Sequence, residues 1–387
     1  MKILFISNYY THHQGPLCEA LDRLTEHRFI FAETEPFPEE RKRLGWKPQT
    51  GVPFVRQYGE LCRDGGDPVL EADVVILGSA PLALVRQRLR ARKLTFLYAE
   101  RIYKNGYEPL KWLPRVFRFW ARYGRYPSLY LLAASGYAAG DYRRHGTFLG
   151  KSRRWGYFPE AKAYDLSSLL AAKDPRKILW CGRFLDWKHP EAALETAKRL
   201  KDLGTPFELD LIGTGPMEEE LKRRVREVGL EDRVRFLGTM DAEAVRTHME
   251  SAGIFLFTSD FHEGWGAVVN EAMNSGCAVV ASHAAGSVPF LLRQGENGLI
   301  YRSGDIDGLY GHVKTLLGRP ERQRELGAKA YEAITHLWNA DCAAERLLTL
   351  AEELQKGGDG DIYSEGPCSR APILWNNWFP EEKSGQI

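Results

Sequence analysis

Two glutamates in an x7 spacing frame the segment with the most chemical content, His262-Glu263-Gly264-Trp265-Gly266-Ala267-Val268-Val269-Asn270-Glu271-Ala272-Met273. An ionised carboxylate accepts hydrogen bonds from two hydroxyls at once, the contact a ribose or hexose ring offers. Gly264 and Gly266 leave backbone N–H groups uncovered, and a helix start behind them adds a partial positive charge, which suits phosphate. Hydroxyl acceptors beside an anion cradle point to a sugar nucleotide as the ligand.

The elements around this segment follow from its pattern. Gly253-Ile254-Phe255-Leu256-Phe257-Thr258-Ser259 reads as a strand buried on both faces. The residues after Gly266 form a helical pattern that ends near Ser275-Gly276. A strand, a glycine turn and a helix place Glu263 and Glu271 at the carboxyl end of a parallel sheet, where ligands of such folds bind. Apolar runs at Lys2–Asn8, Phe29–Ala32, Asp73–Gly78, Leu94–Ala99 and Leu129–Ala134 alternate with helical stretches, among them a basic one at Leu82–Lys93, and a last strand is expected near Arg154–Phe158. A second alternation starts at Lys177. The expected class is α/β with two doubly wound Rossmann-like domains facing across a cleft. The expected boundaries are 1–165 for the N-terminal domain, 166–176 for a linker ending in Asp174-Pro175, 177–355 for the C-terminal domain and 356–387 for a tail. Residues 34–50 read as an exposed excursion, and the aromatic Ile373–Phe379 stretch is expected to pack back on the N-terminal domain.

Composition removes several function classes. A formal net charge of +2 is too small to argue for a nucleic-acid partner. The six cysteines are far apart with no C-x-x-C pair, which favours reduced thiols in a cytoplasmic protein over a disulfide framework or a zinc site. No apolar run approaches the ~18–20 residues of a membrane span. Asp305-Ile306-Asp307 opens a distal helix away from the other site residues, so the expected site needs no metal and no cofactor beyond its co-substrate.

The order of motifs is more specific than any one of them. Gly182-Arg183, then Lys188, Gly213-Thr214-Gly215-Pro216, Phe236-Leu237-Gly238 and Glu263-Gly-Trp-Gly…Glu271-Ala272-Met273 together resemble the donor-binding domain of family-4 retaining glycosyltransferases (glycosyl transferases group 1), which have the GT-B fold. The match covers about residues 177–335, and the first half resembles the family by architecture alone. The resemblance implies that Arg183 and Lys188 hold the donor diphosphate and Glu271 the ribose hydroxyls, with Glu263 facing the transferred sugar. It further implies backbone contacts from Gly182, Gly213, Gly215, Leu237, Gly264, Trp265 and Gly266. On the acceptor side it implies that the first loop, His12-His13-Gln14-Gly15-Pro16, offers Gly15 as a phosphate contact. Where many members carry a strand-end histidine this chain has Glu100, which either orients the acceptor as a base or forms a salt bridge with Arg101 or Lys104.

The implied function is retaining transfer of a sugar from a UDP- or GDP-linked donor to a glycan or lipid-linked saccharide in polysaccharide or glycoconjugate biosynthesis. The alternatives are a non-catalytic sugar-nucleotide-binding subunit and a GT-B epimerase. Across residues 111–125 Lys111, Arg115, Arg118, Arg122 and Arg125 interleave with Trp112, Val116, Phe117, Phe119, Trp120 and Tyr123. That spacing fits either an interfacial helix on an anionic membrane, hence a peripheral protein on the inner membrane face, or a domain helix with one core face and snorkelling arginines.

Overall fold

Short β-rich runs separated by amphipathic helices build two parallel sheets. The computed structural model describes residues 1–39, 49–63, 65–106 and 112–380. The first sheet comprises β1 (Ile3–Ser7), β2 (Phe29–Glu33), β3 (Val55–Gln57), β4 (Val74–Leu77), β5 (Thr95–Ala99), β6 (Leu129–Ala133) and β7 (Ser152–Arg154), in the order β3-β2-β1-β4-β5-β6-β7. All of its pairings are parallel. Both β1 and β4 are buried at every position, as strands covered on both faces must be. The strand order reverses between β1 and β4, which opens a crevice at their carboxyl ends. The larger helices here are α1 (Gly15–Leu24), α2 (Trp112–Phe119), which continues as a π turn over Trp120–Gly124, and α3 (Ala138–Arg143).

The second sheet comprises β8 (Asp174–Cys181), β9 (Glu208–Ile212), β10 (Val234–Gly238), β11 (Ala252–Phe257), β12 (Ala278–Ser282) and β13 (Leu299–Tyr301), in the order β10-β9-β8-β11-β12-β13. Its helices are α4 (Pro190–Asp202), α5 (Glu218–Glu227), α6 (Ala242–Ser251), α7 (Val268–Asn274), α8 (Ile306–Leu317) and α9 (Pro320–His336). Its core gathers Trp180, Phe184, Leu200, Leu211, Ile254 and Leu256, side chains of the size whose burial stabilises by ~1.5–3 kcal/mol each. A last helix, α10 (Ala340–Gln355), follows.

The units divide as residues 1–160 with 337–375, and 161–336 with 376–387. This differs from the boundaries expected from sequence in three places. The expected linker is itself structured: Asp165 accepts the Ser168 N–H and caps a helix over Leu166–Ala171, and β8 begins at Asp174. Proline is tolerated at its second residue because the first positions of a strand can forgo a donor. Next, α10 belongs to the first unit. Its apolar face, with Ala343, Leu347 and Leu350 buried, packs on α1; helical periodicity reveals such a face but not its partner. Finally, the tail divides. The backbone at Cys368–Ala371 hydrogen-bonds along β7 through Arg154 N–H to Ser369 O (2.7 Å) and Ala371 N–H to Ser152 O (3.0 Å), and Arg144 covers the Trp375 ring at 4.1 Å. In the second unit, by contrast, Arg302 covers Phe379 at 4.3 Å and His283 meets the same ring.

The basic stretch Leu82–Lys93 is a 3-10 turn over Leu82–Val85 and a short helix over Arg86–Arg90, and Arg88 is fully buried, donating to the carbonyls of Val69, Ala72, Asp73 and Leu94. No helix among the described residues is long and apolar enough to cross a membrane. Residues 40–48 of the expected excursion, and Lys111, lie outside the described residues.

Candidate functional site

The loops at the carboxyl ends of β8, β9 and β11 carry most of the residues singled out in the second half of the sequence. The β8 loop runs Gly182-Arg183 and turns back through a 3-10 turn, Asp186–Lys188, into α4. Pro190 at the first helical position forgoes an N–H that would have no helical partner anyway. Arg183 is exposed, and its guanidinium meets no carboxylate among the described residues. The Lys188 Nζ lies 2.6 Å from Glu263 Oε2, with only 17% and 12% of the two side chains exposed. Ser259 Oγ donates to the same carboxylate oxygen at 3.1 Å. Gly182 makes room for this lysine: a methyl group there would lie 3.3 Å from the Lys188 Cδ.

The Gly213–Gly215 turn is an internal fastening. Gly213 has φ +128°, and a methyl group on it would lie 1.9 Å from the Gly182 carbonyl oxygen; one on Gly215 would lie 2.5 Å from that of Phe184. Phe184 N–H to Thr214 O (2.9 Å) and Gly213 N–H to Gly238 O (2.8 Å) complete the contact. These glycines let two loops touch and so fix the loop that bears Arg183 and Lys188. Leu237 is half-buried at the end of β10, just before Gly238.

Glu263 lies in the loop between β11 and α7. The N–H groups of Gly264 and Gly266 donate to no other group among the described residues, and Gly266 at φ +88° leans on the Phe257 ring, where a side chain would collide. Trp265 turns its side chain into the core, with Nε1 donating to Asn270 Oδ1 at 2.9 Å. Glu271 stands in the first turn of α7. It is half-buried, and its carboxylate receives no hydrogen bond among the described residues. Burial lifts this carboxyl above its usual range, and the Arg246 charge pulls it back only in part. The Cys181 thiol is pushed up to about 12 by burial and then by the Glu271 charge, with Lys188 opposing. Glu271, Cys181 and Lys188 therefore share one electrostatic neighbourhood.

Several site residues had not been singled out in the sequence. Asp260 takes the His262 N–H at 2.8 Å, and its carboxylate also faces His262 Nδ1 (2.8 Å) and His189 Nε2 (3.4 Å). A hydrogen bond to Glu191, at 2.7 Å, raises the affinity of His189 for its proton. Thr258 Oγ1 links Trp180 Nε1 (2.8 Å) to the Lys188 carbonyl (2.6 Å). The signal was present: Thr258-Ser259-Asp260 is a polar triplet at the end of an apolar strand, where parallel sheets place ligand contacts. Among the described residues no group of three His, Cys, Asp or Glu side chains is gathered that could hold a metal ion. A cavity of about 420 Å³ along α4 is lined in part by His189, Glu191 and Thr258, and the rest of its charged lining is already paired, Glu195 with Arg199, Lys198 with Asp202, Arg224 with Glu220 and Glu227 with Arg223.

The first unit holds the other two predicted site residues. Gly15 opens α1, and its N–H is spent on Thr11 O at 3.2 Å, so it is not a free phosphate contact. Glu100 ends as the strand-end salt bridge: Lys104 Nζ lies 2.7 Å from one oxygen and Tyr157 OH donates to the other at 3.0 Å. Arg101 pairs instead with Asp141. Glu100 nevertheless lines a cavity of about 520 Å³ at the β1/β4 crevice, with Ser7, Gln14, Ser79, Arg122 and Tyr157.

Topology and comparison agree on the architecture. The Anabaena protein Alr3699/HepE, solved in complex with UDP, superposes with a TM-score of 0.65 at 18% identity, covering 92% of this chain and all of that one (100%). The fold is GT-B. Within this GT-B chain, residues 164–333 match the family model of glycosyl transferases group 1. The amylovoran biosynthesis glycosyltransferase AmsK of Erwinia amylovora is 32% identical over 155 residues, which are 39% of this chain and 38% of that protein. The lipopolysaccharide core biosynthesis glycosyltransferase LpsE of Rhizobium meliloti is 26% identical over 188 residues, 49% and 53% of the two chains. The chain thus spans about two fifths to a half of the length of these curated relatives.

Proposed function

We propose that this chain is a retaining glycosyltransferase that moves a sugar from a UDP- or GDP-linked donor to a glycan or lipid-linked saccharide acceptor. The observation that carries the reading is the grouping of Lys188, Glu263 and Glu271 at strand ends of the segment that matches glycosyl transferases group 1. The UDP held by HepE and the saccharide-building names of AmsK and LpsE point the same way.

In this reading Arg183, Lys188 and the uncovered N–H groups of Gly264 and Gly266 receive the diphosphate, so no metal is needed. Glu271 accepts the ribose hydroxyls, and its raised proton affinity reflects a carboxylate buried to await them. When the C1–O bond to the phosphate breaks, charge collects on the leaving diphosphate, where fixed cations and N–H groups stabilise it. The departing phosphate oxygen takes the acceptor hydroxyl proton as the new C1–O bond forms on the same face. No flanking carboxylate pair of the kind used in glycoside hydrolysis is required. Glu100, occupied by Lys104 and Tyr157, orients the acceptor rather than serving as a base.

The same reading places the protein in the cytoplasm against the inner membrane face. Phe117 is 72% and Trp120 50% exposed on an arginine-rich helical stretch, the arrangement that suits anionic headgroups. The test of the transfer is product analysis. Purified protein is incubated with UDP-glucose or GDP-mannose and a mixed glycan acceptor, and the anomeric configuration of the product is read by proton NMR. A product that keeps the donor configuration supports the reading. Inversion contradicts retention, and an unconsumed donor in every mixture contradicts the transferase.

A further inference from the structure

The first unit's cavity has a charge pattern that a neutral sugar does not call for. We infer that the acceptor it takes carries an anionic group, a phosphate ester or a carboxylate, held by Arg122; this rests on the transferase reading above. The cavity volume of about 520 Å³ is that of an ordinary small-ligand site. Its one lining carboxylate, Glu100, is neutralised by Lys104 at 2.7 Å. Its lining cation is not neutralised: Arg122 stacks on Tyr123, with Cζ 5.2 Å from the ring centroid, and meets no carboxylate among the described residues. Arg118 and Arg125 stand in the same stretch, and residues 112–125 contain no Asp or Glu. The nearby Asp141 is already spent on Arg101 and on the N–H groups of Ile102 and Tyr103. The cavity mouth therefore has an uncompensated positive field.

Local geometry aims that charge. The α2 helix widens into a π turn at Trp120–Gly124, a distortion that proteins retain mostly where it positions a functional group. Here it turns Arg122 and Tyr123 to the cavity lining while Trp120 stays half-exposed. Polar groups for the sugar itself complete the site. Gln14 commits only its carbonyl oxygen, to Thr11, so its amide N–H groups are available, and Ser79 adds a hydroxyl, whereas the Ser7 and Tyr157 hydroxyls already donate to Asn8 Oδ1 and Glu100. The guanidinium grips the anion, and the Gln14 amide, the Ser79 hydroxyl and Glu100 read the ring.

The experiment titrates the full chain with methyl glucuronide, methyl glucoside 6-phosphate, neutral methyl glucoside and inorganic phosphate, by calorimetry. Wild type should bind both charged glycosides at least about tenfold more tightly than the neutral one, the scale of a charge-assisted hydrogen bond. The two charged probes separate carboxylate from phosphate preference. Arg122→Gln should erase the preference, Arg122→Lys should restore part of it, and Glu100→Gln should weaken all three glycosides. Equal affinity for charged and neutral glycosides, no binding of any, or a preference that survives Arg122→Gln overturns the inference. Inorganic phosphate that competes as well as the sugar phosphate also overturns it, because the site would then recognise an anion only. UDP and GDP are titrated in parallel: their failure to bind would strike the donor reading and leave the glycoside preference standing on its own result.

Discussion

The ammonium of Lys188 lies 2.6 Å from the carboxylate of Glu263, so the two charged side chains expected to meet a donor's phosphate and sugar meet one another first. A diphosphate must compete with Glu263 for that cation. In Glu263→Gln the competition ends while Ser259 keeps a partner. Affinity for UDP or GDP should hold or rise, by up to about tenfold, whereas turnover should fall by ~10²-fold or more as the group facing the sugar loses its charge. Calorimetry and initial rates separate the two effects. Weaker nucleotide binding with unchanged turnover would reverse the assignment.

Glu271 sets function against stability. Its carboxyl protonates more readily in the folded chain than in the unfolded one, because burial disfavours the charge. The native state therefore binds more protons between the unfolded and folded values, and stability falls as pH rises through that window. Glu271→Gln removes the penalty. Its melting temperature should match wild type in acid and exceed it at neutral pH, while nucleotide binding is lost. Thermal scans at pH 4 and pH 7 check this; a variant less stable than wild type at pH 7 alone would contradict it.

The glycines divide by what surrounds them. Gly213→Ala forces a side chain at φ +128° to within 1.9 Å of a carbonyl oxygen, so the loop must come apart. A loss of ~3 kcal/mol or more is expected, together with loss of nucleotide binding. Gly15→Ala adds a methyl that would stand at an ordinary 3.5 Å from the Tyr10 hydroxyl, and stability should change by less than ~1 kcal/mol. Denaturant midpoints of both variants compare the two sites directly.

Membrane contact rests on Phe117 and Trp120 in their arginine-rich stretch. Wild type should float with vesicles containing phosphatidylglycerol and not with pure phosphatidylcholine, and added salt should weaken the association. Phe117→Ser with Trp120→Ser, or Arg115→Glu with Arg118→Glu, should abolish flotation. Wild type that stays at the bottom of the gradient removes the idea.

Much of this architecture was legible because parallel sheets announce themselves: Val74–Leu77 and Ile254–Phe257 are unbroken apolar runs, and buried strands have few alternatives. Burial class was less legible. Arg88 looked like one charge in a basic helix, yet it satisfies four backbone carbonyls in the interior. Which sheet a helix packs on was not legible either, since the apolar stripe of α10 is compatible with both units and only tertiary contact selects α1. At the site, Arg183, Lys188, Glu263 and Glu271 were marked by their order along the chain. Asp260 was marked only by its place in the polar triplet Thr258-Ser259-Asp260 at a strand end, because its approach to His189 through space leaves no spacing to recognise. Trp265 was expected to offer its backbone alone, and its side chain is buried in the core.

Nucleotide capture by the second unit is the central claim, and direct titration tests it. UDP and GDP are titrated into wild type, Arg183→Ala and Glu271→Ala by calorimetry. Wild type should bind at least one of them, with Arg183→Ala weakening the diphosphate by about tenfold or more while changing affinity for the unphosphorylated nucleoside little. Glu271→Ala should weaken diphosphate and nucleoside alike. Wild type that binds neither nucleotide, or variants that bind as wild type does, would contradict the claim.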